Sequence, residues 1–155
     1  MSERKFGVFD FDGTIVDTMP AYFSISGEII EREYGIPGEE FVEYSKLSTG
    51  RPIDEQFRGF LLKHDRPLDR IRENIADFFA IANAYDFPII EGAREAIENV
   101  YDKGFRLFIS TGSETEKTKE RLDNLGLSRF FAEVYGSSEI EKSREHIENF
   151  AKASE

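Results

Sequence analysis

The chain has 155 residues, a net charge of −11, 39% hydrophobic residues including 15 phenylalanines, and no cysteine. That length and apolar content suit one domain of ordinary size, or a small core carrying an insertion. The acidic balance disfavours a nucleic-acid backbone or an anionic membrane as main partner. The lack of cysteine excludes disulfides and thiolate chemistry, and no apolar run reaches the roughly 20 residues of a membrane span; a soluble cytoplasmic protein is expected.

The first predicted element lies in the string KFGVFDFDGTIVDT, which begins at Lys5. Phe6, Val8, Phe9 and Phe11 crowd around Asp10, and Asp12, Gly13 and Thr14 follow. An apolar run ending in a carboxylate and a glycine predicts a buried parallel strand, about Phe6 to Phe11, whose C-terminal end opens into a tight turn. Open α/β sheets bind ligands at that end. The glycine lets the chain bend near two carboxylates placed one residue apart, so one can act as nucleophile and the other as acid/base.

DFDGTIVDT resembles the first motif of the haloacid dehalogenase-like hydrolases, a superfamily made mostly of magnesium-dependent phosphatases. The resemblance implies that Asp10 attacks phosphorus, forms an aspartyl-phosphate and binds Mg2+. It implies that Asp12 protonates the leaving oxygen and then activates water, its backbone carbonyl being a second metal ligand. True dehalogenases of the family lack the second carboxylate, so Asp12 points to phosphoryl transfer.

Thr18, just ahead of Pro20, is a candidate helix N-cap. Asp17 either lines the site mouth or serves as a hinge residue. From Pro20 to about Asp86 the apolar spacing is helical throughout. Ile25 and Ile29 mark the first face, Phe41 and Tyr44 the second, Phe57, Phe60 and Leu61 the third, and Ile71, Ile75 and Phe78 the fourth. Breaks fall at Gly35-Ile36-Pro37-Gly38, at Ser48 to Pro52 and at Asp65-Arg66-Pro67. Four amphipathic helices without an intervening strand predict a small bundle over residues 17–87. Such an insertion is similar to the helical cap of one large subgroup of the family, which closes over the active site and selects the substrate. Gly50-Arg51 resembles a cap loop in which an arginine meets the substrate; Arg51 as a solvated helix-start residue is the equal alternative. His64 and His146 have no ligand partner at a convincing spacing and are expected at the surface.

The core is expected to be discontinuous, residues 1–16 and 88–155, an α/β Rossmann-like parallel sheet. Ala93, Ala96, Ile97, Val100 and Tyr101 form a helix face closed by Gly104. Phe105 to Ile109 is the second core strand, ending at Ser110-Thr111-Gly112. Ser113-Glu114-Thr115-Glu116 reads as a capping box opening a helix. A strand, a small hydroxyl, a glycine and a helix N-terminus in that order can bind an anion. By resemblance to the second family motif, Ser110 is the hydroxyl expected to hold the phosphoryl group, with Thr111 beside it. Phe130 to Tyr135 is the third strand. Lys142, ahead of a final helix with Ser143 as N-cap, resembles the third-motif lysine that neutralises the nucleophile and phosphoryl oxygens.

The family's fourth motif, an acidic pair on a following strand that completes the magnesium site, has no counterpart here; Glu139 or Glu141 would have to replace it. A truncated form of a longer protein is therefore expected, with the first strand at a sheet edge and self-association through that edge. The function implied is magnesium-dependent hydrolysis of a small phosphorylated metabolite. A phosphomutase, or an inactive phosphate-binding or interaction module of the same fold, stays open as the alternative.

Overall fold

The computed structural model describes residues 5–136 and 144–153. They hold three parallel strands and seven α-helices, the mixed α/β class expected, with a helical segment inserted after the first strand. The chain divides into two compact units: Met1–Thr18 with Phe87–Glu155, and Met19–Asp86.

The helical unit contains α1 (Met19–Tyr34), α2 (Gly38–Leu47), α3 (Ile53–Lys63) and α4 (Ile71–Ala82). Its core is aromatic. Phe41 lies 4.8 Å from Phe57 and 5.0 Å from Phe60 between ring centroids, and all three are buried with Ile25, Ile29, Ile30, Leu61 and Phe78. α1 and α2 approach backbone to backbone where two glycines meet: a Cβ on Gly38 would stand 2.7 Å from the Gly27 carbonyl oxygen. On the outside Arg32 bonds both Glu33 and Asp77, and Arg70 bonds Glu33, so charged pairs tie α1 to α4. Thr18 directly precedes α1, but its side chain makes no capping bond. It is fully buried, and its hydroxyl has no hydrogen-bond partner among the described residues.

The α/β unit is built on β1 (Phe6–Phe9), β2 (Arg106–Ser110) and β3 (Phe131–Tyr135), in the order β1-β2-β3 with β2 central. β1 is shorter than the sequence predicts. Beyond Phe9 the chain turns instead: the Phe11 carbonyl accepts from the N–H groups of Thr14, Ile15 and Val16, and Gly13 adopts φ 71°, which glycine takes without a Cβ clash. α5 (Ala93–Asp102), α6 (Thr115–Asn124) and α7 (Arg144–Ala153) complete the unit, with a 3-10 turn at Ser128–Phe130. Strand alternation sends Phe108 to the face covered by α7, where its ring lies 4.9 Å from Phe150, and Tyr135 lies 4.7 Å from the same ring. Two segments of the unit pair outside the sheet. Val16 bridges Ile89, and Asp17 N–H donates to the Pro88 carbonyl.

Candidate active site

Asp12, Thr111 and Ser113 meet beyond the C-terminal ends of β1 and β2, with Asp10 two residues before Asp12. Asp10 follows the last residue of β1 and is half-buried; its Oδ1 accepts from the N–H of Phe11 at 2.9 Å. The turn at Gly13 then brings Asp12 back toward β2. Its Oδ2 accepts two hydroxyl bonds, from Thr111 Oγ1 at 3.0 Å and from Ser113 Oγ at 2.5 Å. Thr111 Oγ1 also accepts from the Ser113 N–H at 3.1 Å. A hydroxyl has one proton to give and lone pairs to receive, so the Thr111 proton serves Asp12 while its lone pair fixes the following turn. The loop is a closed circuit that aims one oxygen of Asp12 at two donors.

The adjacent hydroxyls of Ser110 and Thr111 are separated by strand geometry. Successive side chains point to opposite faces. Ser110 shares the face of Phe108 and turns toward α7, where its Oγ lies 2.9 Å from Nδ1 of His146. Thr111 takes the other face and reaches Asp12. Ser110, the hydroxyl expected to hold the phosphoryl group, lies against His146, and its neighbour Thr111 is the hydroxyl bonded to Asp12. His146 is likewise not a surface residue: it is fully buried, with Tyr135 5.8 Å away between ring centroids. The four-residue spacing of His146 and Phe150 on one helix face carried that signal. His64 is half-buried, against the ring of Phe60 at 4.3 Å.

The capping box expected from Ser113 does not form: α6 starts one residue later, with Glu114 at the N-cap position and no side-chain cap bond, and the Ser113 hydroxyl donates to Asp12 instead. Thr115 and Gly136 support this turn from β3. Gly136 N–H donates to Thr115 Oγ1 at 3.2 Å, and a Cβ on Gly136 would stand 2.5 Å from the Ser113 carbonyl oxygen. Arg51 belongs to the helical unit, exposed in the turn between α2 and α3, where its carbonyl accepts from Gln56 Nε2 at 2.8 Å. Lys142, Glu139, Glu141 and Ser143 lie outside the described residues.

Among the described residues no group of three or more His, Cys, Asp and Glu side chains could hold a metal. The two carboxylates Asp10 and Asp12 are hard oxygen donors, and Mg2+ is commonly bound by one or two carboxylates with water and substrate phosphate supplying the rest. The donor set therefore fits that ion in kind. No helix among the described residues is long and apolar enough to cross a membrane.

Comparison with known proteins gives a consistent result. The phosphorylated-carbohydrate phosphatase of Thermotoga maritima is 27% identical over 126 residues, which cover 80% of this chain and 57% of that protein. The pyrophosphatase PpaX of Halalkalibacterium halodurans is 25% identical over 127 residues, covering 80% of this chain and 55% of its own length. The chain thus spans a little over half the length of these curated relatives. In fold it is similar to a haloacid dehalogenase-like family hydrolase from Streptococcus pneumoniae, with a TM-score of 0.76 at 21% identity over 99% of this chain and 71% of that one. The sequence model of the haloacid dehalogenase-like hydrolases matches residues 8–155, and the chain belongs to that family.

Proposed function

We propose that the chain carries the phosphoryl-transfer machinery of a magnesium-dependent phosphatase acting on a small phosphorylated metabolite. The observation that carries this reading is the convergence of Thr111 and Ser113 on Asp12, next to Asp10 at the end of a parallel strand. The relatives named as phosphatases, one of them of phosphorylated carbohydrates, support the substrate class.

In this reading Asp10 is the nucleophile. One of its carboxylate oxygens forms a bond to phosphorus as the ester P–O bond breaks, and the departing oxygen takes a proton from Asp12. Asp12, now a carboxylate, removes a proton from water, whose oxygen displaces Asp10 and releases inorganic phosphate. The two hydroxyls keep Asp12 in one orientation through both proton transfers. Asp10 and the backbone carbonyl of Asp12 would hold Mg2+, which supplies positive charge to the phosphoryl oxygens when bound. Lys142 is proposed as the protein's own cation for those oxygens. The α/β unit is proposed as the catalytic core and the helical unit as the cap, with Arg51 matching an anionic group of the substrate.

Hydrolysis of an aryl phosphate, with and without Mg2+, tests the reading. Turnover that needs Mg2+ and is abolished by Asp10→Asn supports it. Turnover unaffected by chelation or by that substitution overturns it.

A further inference from the structure

The C-terminal end of β2 is held from three directions. Among the described residues its pairing with β1 stops at Ile109, opposite Phe9. Beyond that point the backbone is held from the β3 side, where Thr111 N–H donates to the Tyr135 carbonyl at 3.0 Å. A second hold is the Thr111 hydroxyl on Asp12 at 3.0 Å. The third comes from α7, where Ser110 Oγ lies 2.9 Å from Nδ1 of His146 in a buried contact.

His146 stands on a firm mount. Phe150, one turn further along α7, packs on Phe108, which lies two residues before Ser110 on the same strand face. Two residues of strand rise about 6.6 Å and four residues of helix about 6 Å, so both contacts form together with α7 antiparallel to β2. The Tyr135 ring lies 5.8 Å from the imidazole and 4.7 Å from Phe150, which flanks His146 from β3 as well.

We propose that His146 is a positioning residue: through Ser110 it fixes the rotation of β2 that points Thr111 at Asp12. The kinetic consequence of this role rests on the phosphatase reading above. Ser110 and Thr111 are successive residues on opposite faces. A turn of the chain about the strand axis that carries Ser110 off His146 therefore carries Thr111 off Asp12. Packing of Phe108 on Phe150 sets the spacing of helix and sheet but permits that turn, because apolar contact has no direction. A hydrogen bond has one. An apolar residue at position 146 would fill the same space, and a buried polar pair adds little net stability over apolar groups of the same shape. What the pair adds is an angle, one residue away from the hydroxyl that serves Asp12.

A crystal structure of His146→Leu is expected to show the distance from Thr111 Oγ1 to Asp12 Oδ2 stretched from 3.0 Å to beyond hydrogen-bond range. Ser110→Ala breaks the same contact and repeats the test should His146→Leu fail to fold. In turnover of an aryl phosphate both variants are expected to lose about 3- to 10-fold in kcat, the rate equivalent of one neutral hydrogen bond, with KM unchanged. His146→Asn keeps a polar atom near the place of Nδ1 and is expected to stay close to the parent. Ser110→Ala combined with His146→Leu removes both polar groups, so it is expected to melt like the parent and still show the low kcat. In a Thr111→Val background His146→Leu is expected to cost nothing further. An intact Thr111–Asp12 bond in His146→Leu and Ser110→Ala overturns the proposal. So does a kcat that recovers with stability in the double variant, or a loss that multiplies on Thr111→Val. A parent chain without turnover counts against the phosphatase reading, and the crystal structures then decide the positioning role by themselves.

Discussion

Replacing Gly136 with alanine should loosen Asp12 from a distance. The new Cβ would stand 2.5 Å from the Ser113 carbonyl oxygen and 2.7 Å from both N and Oγ1 of Thr115, where ordinary contact begins at 3.4 Å. Two of those three atoms are backbone, so a flexible side chain cannot simply step aside. Relief requires the Ser113 turn to retreat by about 0.9 Å. Such a movement would stretch the 2.5 Å bond from Ser113 to Asp12 to about 3.4 Å, outside the roughly 2.5–3.0 Å range of an O–H···O bond. Overpacking of this kind typically costs about 1–3 kcal/mol. At ~2–4 °C per kcal/mol for a chain of this size, the midpoint should fall by about 2–12 °C. Thermal unfolding followed by circular dichroism measures the first effect, and a crystal structure of Gly136→Ala the second. In a turnover assay kcat should fall with KM little changed, because the damage is to Asp12. A variant that melts within a degree of the parent and keeps the Ser113–Asp12 bond would refute the reasoning.

Further substitutions separate the parts. Thr111→Val removes a donor to Asp12 and should lower kcat by about 100-fold or more, while Ser110→Ala, whose hydroxyl faces His146, should change it far less; steady-state kinetics of the two variants side by side decide which hydroxyl serves the site. Phe41→Ala empties the middle of the helical unit and should cost about 3–5 kcal/mol in a denaturant titration. The Arg32 guanidinium, bonded directly to Glu33 and assisted by Arg70, holds the Glu33 carboxyl below the usual carboxylate range. Its contribution to stability is therefore present above the ordinary glutamate pKa and lost as pH falls through the depressed one. Glu33→Gln should flatten the acid side of the melting-temperature profile in that window and leave the neutral side parallel to the parent.

The fold was readable because its signals are long and periodic. Four apolar faces at helical spacing, separated by three breaks containing glycine or proline, correspond to α1 to α4, and Phe105 to Ile109 overlaps β2. The site was less readable because its chemistry turns on which way single side chains point. Ser110 and Thr111 are neighbours of one chemical type, and only the parity set by Phe108 separates them. Ser113 and Glu116 satisfy a capping-box pattern, yet a carboxylate distant in sequence competes for the same hydroxyl and wins. His146 looked like a surface residue because its partners, Ser110 and Tyr135, come from two different strands. Gly136 allows the close approach of the end of β3 to the α6 N-terminus, which no local sequence pattern signals.

The central claim is that Asp10 becomes covalently phosphorylated. The direct measurement is acid quenching of the chain during reaction with an aryl phosphate and Mg2+, followed by peptide mass spectrometry. Asp12→Asn is used to slow hydrolysis of the intermediate. One phosphoryl group on the peptide carrying Asp10, absent after Asp10→Asn, is the predicted result. A phosphoryl group on another residue, or none in parent and Asp12→Asn chains that nonetheless release phosphate, would contradict it.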